Sequence, residues 1–233
     1  MSPTFLIVWM KLPPLQTIDA VLFDLDGTLV DSFAPILLSF NQTLSELKTD
    51  IVLTHQAMLG LVGCSLEDSF RILLPESDVK KASRRFREIY TPLAETQTSL
   101  MSGARDILDF LSESKIPAAV VTNKMGEEAR IITRSLGICP PALFTLGEGD
   151  GFPEKPAPDM ILEALSRIGA SRENTLFVGD SPWDLHAARA ACVPVCLIPT
   201  GTHPKKELLS LSPDFLFDDL KTLKKHLENK NTS

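Results

Sequence analysis

The sequence predicts an α/β fold, a mostly parallel sheet with an α-helical subdomain inserted after its first strand. Three observations carry this reading. Short apolar runs recur along the chain and end in small or polar residues, and helical patterns closed by glycine separate several of them. One long interval between the first two runs holds no strand pattern at all. Strands that alternate with single helices imply a parallel sheet covered on both faces.

Taken in order, the strand runs are residues 20–24, 118–122, 142–146, 175–178 and 195–198, with 215–217 as a short edge. Helical spacing over 126–136 ends at Gly137, and over 159–168 at Gly169, both placed as helix C-terminal glycines. Alanine-rich 183–191 is a third helix, and Ser102-Gly103-Ala104 starts another at 105–111. Between the first two strands, residues 33–100 read as three or four helices, with patterns over 33–47, 66–74 and 79–90. The expected division is therefore an extension over 1–17, a core from 18–32 and 101–233, and a helical cap over 33–100.

Composition narrows the function. The chain has 233 residues, 44% hydrophobic and 23% charged, which suits one medium soluble domain carrying a smaller insertion. A net charge of −7 argues against an electrostatic nucleic-acid binder. It leaves room for a small anionic substrate, because one metal and one lysine can reverse a local field. Cys64, Cys139, Cys192 and Cys196 form no Cys-x-x-Cys pair and read as thiols of a reducing cytoplasm rather than a zinc site. The apolar stretch 5–10 is too short to span a bilayer and lacks a basic flank, so no membrane partner is expected. Residues 1–9 read as a loose extension or the product of an upstream start codon, with Met10 as the natural beginning. Residues 229–233 are expected to be disordered. Monomer and homodimer both remain open.

The densest signal is Phe23-Asp24-Leu25-Asp26-Gly27-Thr28-Leu29-Val30-Asp31-Ser32, at the end of an apolar run. A strand's side chains repeat every two residues, so Asp24 and Asp26 can both project toward one site. Two such acids repel unless a cation or a shared proton relieves them. Gly27 and Thr28 follow with backbone N–H groups able to cradle an anion. In an open parallel sheet, ligands bind beyond the carboxyl ends of the strands. Those ends carry Asp24 and Asp26, then Thr122-Asn123-Lys124, then Gly147-Glu148-Gly149-Asp150, then Gly179-Asp180-Ser181.

Taken singly, these residues have plainer uses as helix caps, Asx turns or solvated charges. In order, they resemble the motifs of the haloacid dehalogenase superfamily of phosphohydrolases. Asp24 to Ser32 is similar to the first motif, Val121-Thr122-Asn123 to the second, and Lys155 in Glu154-Lys155-Pro156-Ala157-Pro158-Asp159 to the third. Gly179-Asp180-Ser181-Pro182-Trp183-Asp184 is similar to the fourth. The branch containing phosphoglycolate phosphatases, phosphatases of pyrophosphate and nucleotides, and β-phosphoglucomutase is the nearest, and it carries a helical cap after the first motif. The resemblance implies a Rossmann-like core, magnesium as cofactor and a small phosphorylated metabolite as partner. It further implies Asp24 as nucleophile and Asp26 as general acid and then base, with the Asp26 carbonyl reaching the metal. Gly27, Thr122, Asn123 and Lys155 would hold the phosphate. Asp24, Asp26 and Asp180 would hold the metal, with Asp184 acting on its outer shell or on Lys155.

Phosphoglycolate is the leading substrate on this resemblance, with pyrophosphate, nucleotides and sugar phosphates as alternatives. A mutase is disfavoured, because the place where β-phosphoglucomutase-like proteins carry a cap arginine reads Gly63-Cys64-Ser65-Leu66. A noncatalytic module would be expected to lack Asp24, Lys155 or Asp180, and a dehalogenase would need neither Asp26 nor Asp180. The basic cluster Lys80, Lys81, Arg84, Arg85 and Arg87 could meet an anionic substrate, but the solvated face of a cap helix is the better reading. The loop bearing Gly60 and Gly63 is the segment expected to dip toward the site.

Overall fold

The structure is a computed structural model and describes residues 18–139 and 142–228. The expectations for 1–17 and 229–233 lie outside the described residues. From the N-terminal side the elements are β1 (Ala20–Phe23), β2 (Val30–Asp31), α1 (Phe33–Glu46), α2 (His55–Leu59), α3 (Leu66–Leu73), α4 (Glu76–Gln97) and β3 (Ser99–Leu100). There follow α5 (Ala104–Glu113), β4 (Ala118–Met125), α6 (Gly126–Ser135), β5 (Thr145–Glu148), α7 (Asp159–Ile168) and β6 (Thr175–Gly179). The remainder is α8 (Pro182–Ala190), β7 (Val195–Leu197), α9 (Lys205–Ser210), β8 (Phe215–Leu216) and α10 (Leu220–Glu228).

Six strands form one sheet in the order β5-β4-β1-β6-β7-β8, and every neighbouring pair is parallel. The first strand in sequence is therefore central, flanked by β4 and β6. Its four residues are all buried, as a strand covered on both faces must be. Their alternation splits the core in two. Val21 and Phe23 pack with Ile107, Leu108 and Leu223 on one face, while Leu22 packs with Ile161 and Leu185 on the other. Each such side chain contributes about 1.5–3 kcal/mol on burial, so β1 is fixed by both layers at once. This rigidity carries over to Asp24, the residue that leaves it.

Helices α1 to α4 pack mainly through α1 against α4. Phe40 meets Phe70 and Phe86 with ring centroids 5.1 and 4.7 Å apart, and Phe86 stacks on Tyr90 at 5.3 Å. The same apolar cluster is continuous with the core under β1. Sequence spacing ends the last of these helices at Tyr90, yet α4 runs on through Pro92 to Gln97. Proline removes one backbone hydrogen bond there, but Tyr90 and Ala94 are buried on either side of it and hold the helix together.

Three features have no counterpart in the sequence reading. Strands β2 and β3 pair antiparallel, Val30 opposite Leu100 and Asp31 opposite Ser99. They are two residues each, too short for a periodic pattern, and they tie together the points where the chain leaves and rejoins the sheet layer. Strand β4 continues three residues past Thr122 to Met125, and β5 begins at Thr145 rather than at 142. Helices α9 and α10 close the C-terminal side. Among the described residues, no helix is long and apolar enough to cross a membrane.

Phe70 sits at the centre of the aromatic cluster, fully buried. Phe70→Ala should cost about 3–5 kcal/mol in urea denaturation, whereas Val52→Ala, at a residue 79% exposed, should stay within about 0.5 kcal/mol of wild type.

Candidate active site

The carboxyl ends of β1, β4 and β6, with the loop before α7, converge on one buried group of charges. Lys155 is its hub. An ammonium has three donors, and Lys155 Nζ uses all three, on Asp24 Oδ1 at 2.7 Å, Asp184 Oδ1 at 2.7 Å and the Val121 carbonyl at 3.2 Å. Burial works against the charged lysine, but Asp184 and Asp24 together outweigh it and raise its pKa.

The Lys155 backbone is clamped as tightly as its side chain. Asn123 Oδ1 accepts from the Lys155 amide at 2.7 Å, and Asn123 Nδ2 donates to the Lys155 carbonyl at 2.8 Å. The same Nδ2 donates to the Gly63 carbonyl at 2.8 Å. One amide from β4 thus binds the lysine loop and the loop between α2 and α3 together. Gly63 has a φ of +106°, and a Cβ there would meet Trp183 Cδ1 at 2.9 Å. The expectation that this loop dips toward the site agrees with both contacts.

Asp184 has little left to offer elsewhere. Its Oδ2 accepts from the Asp180 amide, the Ser181 amide and the Ser181 hydroxyl at 3.2, 3.1 and 2.6 Å, closing a capping box at the start of α8. Asp180 is held by the Thr202 amide at 2.7 Å and the Thr202 hydroxyl at 2.9 Å, both on Oδ2. Thr28 donates to its Oδ1 at 3.4 Å. Asp24, Asp180 and Asp184 each offer an oxygen, all within 4.8 Å of one another. Burial pushes Asp24 up to about 7. Burial first, and then Asp184 and Asp24, push Asp180 well above the usual carboxylate range.

Three buried carboxylates against one lysine leave a charge of −2 when all are ionised. Such a group fits a divalent cation, which would restore neutrality and accept hard oxygen ligands. Asp24 and Asp180 have lone pairs to give, whereas Asp184 is already committed to Lys155 and the helix cap.

Asp26 stands apart from that trio. Lys124 Nζ reaches both of its oxygens at 3.0 and 3.3 Å, and the Ser32 hydroxyl donates to Oδ1. Lys124 also lies 4.4 Å above the Tyr90 ring, a favourable position for an ammonium. Burial opposes its charge, but Asp26, then Tyr90 and Glu128, raise its pKa overall. Thr122 Oγ1 accepts from the Lys124 amide at 3.1 Å and so keeps its own proton to donate.

Two readings of the sequence change here. The Gly27 and Thr28 amides are turned inward, on Val30 and Leu25 carbonyls at 2.8 and 3.2 Å, and so close the turn instead of cradling an anion. Gly27 instead permits a close approach. Its φ is +85°, and a Cβ would lie 2.8 Å from both Asp180 Oδ2 and the Gly201 Cα. The basic cluster also divides. Arg85 pairs with Glu46 and Glu88 on the exposed side, but Arg87 lines the cavity above the carboxylates. Helical spacing places both on α4 without saying which faces inward. The side chains of Lys124, Ser32 and Thr202 were given no role, and of these Lys124 carried a signal, as the third residue of the strand-end triplet; Thr28 was expected to act through its amide and acts through its hydroxyl.

That cavity holds about 90 Å³. Its floor is Asp24, Asp26, Thr122, Lys124 and Asp180, and its roof includes Phe40, Leu61, Gly63, Leu66 and Arg87 from the helical layer.

Comparison with known proteins gives the same picture from outside. The profile of the family described as haloacid dehalogenase-like hydrolase matches residues 21–198. The phosphoglycolate phosphatase of Agrobacterium fabrum is 32% identical over 91% of this chain and 93% of its own length. The pyrophosphatase PpaX of Oceanobacillus iheyensis is 27% identical over 89% of this chain and 96% of its own. Among solved structures, a haloacid dehalogenase-like hydrolase of Streptococcus pneumoniae superposes with a TM-score of 0.81 at 28% identity, covering 89% of this chain and 97% of that one.

The charge count has a direct consequence for stability. A cation held only by the folded chain at a hundred times its dissociation constant adds about 2.7 kcal/mol. Millimolar divalent cation should therefore raise the thermal midpoint by roughly 5–10 °C. Asp180→Asn should abolish that rise, as read by scanning calorimetry.

Proposed function

Because the chain belongs to the haloacid dehalogenase-like hydrolases, we propose that it is a magnesium-dependent phosphatase of a small phosphate ester, with phosphoglycolate the foremost substrate. The observation that carries this reading is the 2.7 Å contact of Lys155 with Asp24 inside a group of three buried carboxylates, beneath a small cavity. A lysine and three acids buried together are costly to maintain, and phosphoryl transfer is a chemistry that uses all of them.

In the first step an Asp24 oxygen attacks phosphorus, forming an aspartyl phosphate as the bond to the ester oxygen breaks. Asp26, on the same strand end and held toward the cavity by Ser32 and Lys124, gives its proton to the leaving oxygen. In the second step Asp26 takes a proton from water, which attacks phosphorus, and the Asp24 carboxylate is restored. Lys155 supports the charge on Asp24 before attack and the phosphoryl oxygens during it. Asp184 acts from behind, aligning the lysine. The Thr122 hydroxyl and the Asn123 backbone would donate to the phosphate. Magnesium, held by Asp24 and Asp180 with the Asp26 carbonyl, would neutralise phosphoryl charge. On this reading residues 33–100 are the cap that excludes water, and 18–32 with 101–233 are the catalytic core of a cytoplasmic enzyme.

The cavity volume bears on the substrate. At about 90 Å³ the space directly above the carboxylates suits a compact ester such as phosphoglycolate. Pyrophosphate is the second reading, since it is equally compact and the similar protein of Oceanobacillus iheyensis is a pyrophosphatase.

Asp24→Asn is nearly isosteric and should keep the fold while lowering phosphate release on the order of 10⁴-fold or more. Wild-type-like turnover in that variant, or full activity in excess EDTA, would rule this chemistry out. A phosphate-release screen over phosphoglycolate, pyrophosphate, nucleoside monophosphates and sugar phosphates ranks the substrates.

A further inference from the structure

One polar group on the cavity wall is unused by the chemistry above. Arg87, on α4, lines the cavity, and its Nε is buried with no hydrogen-bond partner among the described residues. Leaving such a donor unmade is expensive, on the order of 1–3 kcal/mol and more when the group is charged. The rest of the guanidinium is only loosely engaged. Its nearest carboxylate oxygen, Glu148 Oε1, is 3.7 Å from one terminal nitrogen, beyond hydrogen-bond range. Glu128 and Glu148 both feel the Arg87 charge, so the arginine is anchored electrostatically without being sealed. One basic neighbour on α4 behaves differently. Arg85, two residues earlier, spends its three nitrogens on Glu46 and Glu88.

The other cations around the cavity are committed. Lys155 has all three donors placed, and Lys124 faces both oxygens of Asp26. A guanidinium offers five N–H donors in a planar fork matched to carboxylate or phosphate. Among the described residues around the cavity, Arg87 is therefore the cation with donors to spare, and it lies across the cavity from the carboxylate floor, on the helical side.

We propose that Arg87 is the residue that selects the substrate, by binding a second anionic group at the end of the molecule remote from the phosphorus under attack. The ligand class is a compact phosphate bearing a further carboxylate or phosphate, and phosphate esters of the same size without that second anionic group are discriminated against. This rests on the phosphatase reading of the site. It also gives the helical layer a specific task, because the core residues contact the reacting phosphate whatever is attached to it.

The test compares phosphoglycolate with 2-hydroxyethyl phosphate, which has the same skeleton with a hydroxymethyl group in place of the carboxylate, and with pyrophosphate as a third arm. Wild type should favour the compounds with two anionic groups in kcat/KM. Arg87→Ala should raise KM for phosphoglycolate about 10- to 100-fold, as expected for losing a charge-assisted contact. Its effect on 2-hydroxyethyl phosphate should be at least about 10-fold smaller, and Arg87→Lys should recover part of the difference. Pyrophosphate losing as much as phosphoglycolate identifies a general anion reader, and phosphoglycolate alone losing identifies a carboxylate reader. Equal losses on phosphoglycolate and 2-hydroxyethyl phosphate, or no loss on either, would overturn the assignment and leave Arg87 a strut for Glu128 and Glu148. Calorimetric titration of phosphoglycolate into Asp24→Asn, with and without Arg87→Ala, reads the same contact without turnover. Wild-type enzyme inert on every phosphate compound would instead remove the phosphatase reading. Turnover with an unselective Arg87→Ala removes only the role of Arg87.

Discussion

The structure depends on one buried ammonium. Lys155 joins Asp24 at the end of β1 to Asp184 in the first turn of α8, with 2.7 Å contacts to each. Taking ions of this kind out of water costs several kcal/mol apiece, and their attraction repays it only with excellent geometry and full hydrogen bonding. Here the geometry is complete around the lysine and incomplete around the acids. Every lysine donor is met, while Asp24 and Asp180 stay protonated more readily than ordinary carboxylates because of their burial. A fold that holds such a group at the carboxyl edge of its sheet has accepted a local cost that a bound cation or a proton would relieve.

The topology explains how the cost is borne. A strand fixed between two apolar layers ends at Asp24, so Asp24 inherits the rigidity of Val21, Leu22 and Phe23. Asp180 arrives from β6, which pairs with β1 in register from Ala20–Thr175 to Phe23–Val178. Asn123 arrives from β4 on the other side and grips the backbone of Lys155. Three adjacent parallel strands therefore set the separation of the acids and the lysine. Close approach at Gly27 and Gly201 lets the Thr202 amide reach Asp180, which side chains at those two positions would obstruct. Preorganisation of this sort puts the charges in place before any ligand arrives.

How far the sequence revealed this differs from residue to residue. The strands were legible because an all-buried strand in a parallel sheet reads as an unbroken apolar run, and their C-terminal residues followed from topology alone. Glycines at 137 and 169, both with positive φ, were visible as helix ends. The pair β2–β3 was not, since two residues carry no period. The inward turn of the Gly27 amide was hidden for a related reason: a glycine announces a tight turn but not which carbonyl its N–H will meet. Arg87 was lost within a run of basic residues, where local sequence cannot separate the residue facing the cavity from those facing water. Lys124 was hidden because its partner, Asp26, is 98 positions away.

The remaining question is how an acidic chain with a charge of −7 receives an anion in a pocket floored by carboxylates. Lys155 and Lys124 do not solve this alone, because each is already paired with an acid of the site. On the proposed reading the cation and the substrate solve it for each other. A dication between Asp24 and Asp180 converts a floor of charge −2 to neutral, and the incoming phosphate then meets Lys155, Thr122 and the cation instead of unrelieved carboxylates. Coupling between two ligands is reciprocal, so a substrate that binds better with the cation present must also tighten the cation. The helical layer adds the last element. With the phosphate balanced by the core, a second negative charge on the substrate has no partner on the floor, and Arg87 on the opposite wall is the group with donors left to meet it. Chemistry and selection are thus carried by different layers, joined at Asn123 and Gly63, where one side-chain amide bonds to both.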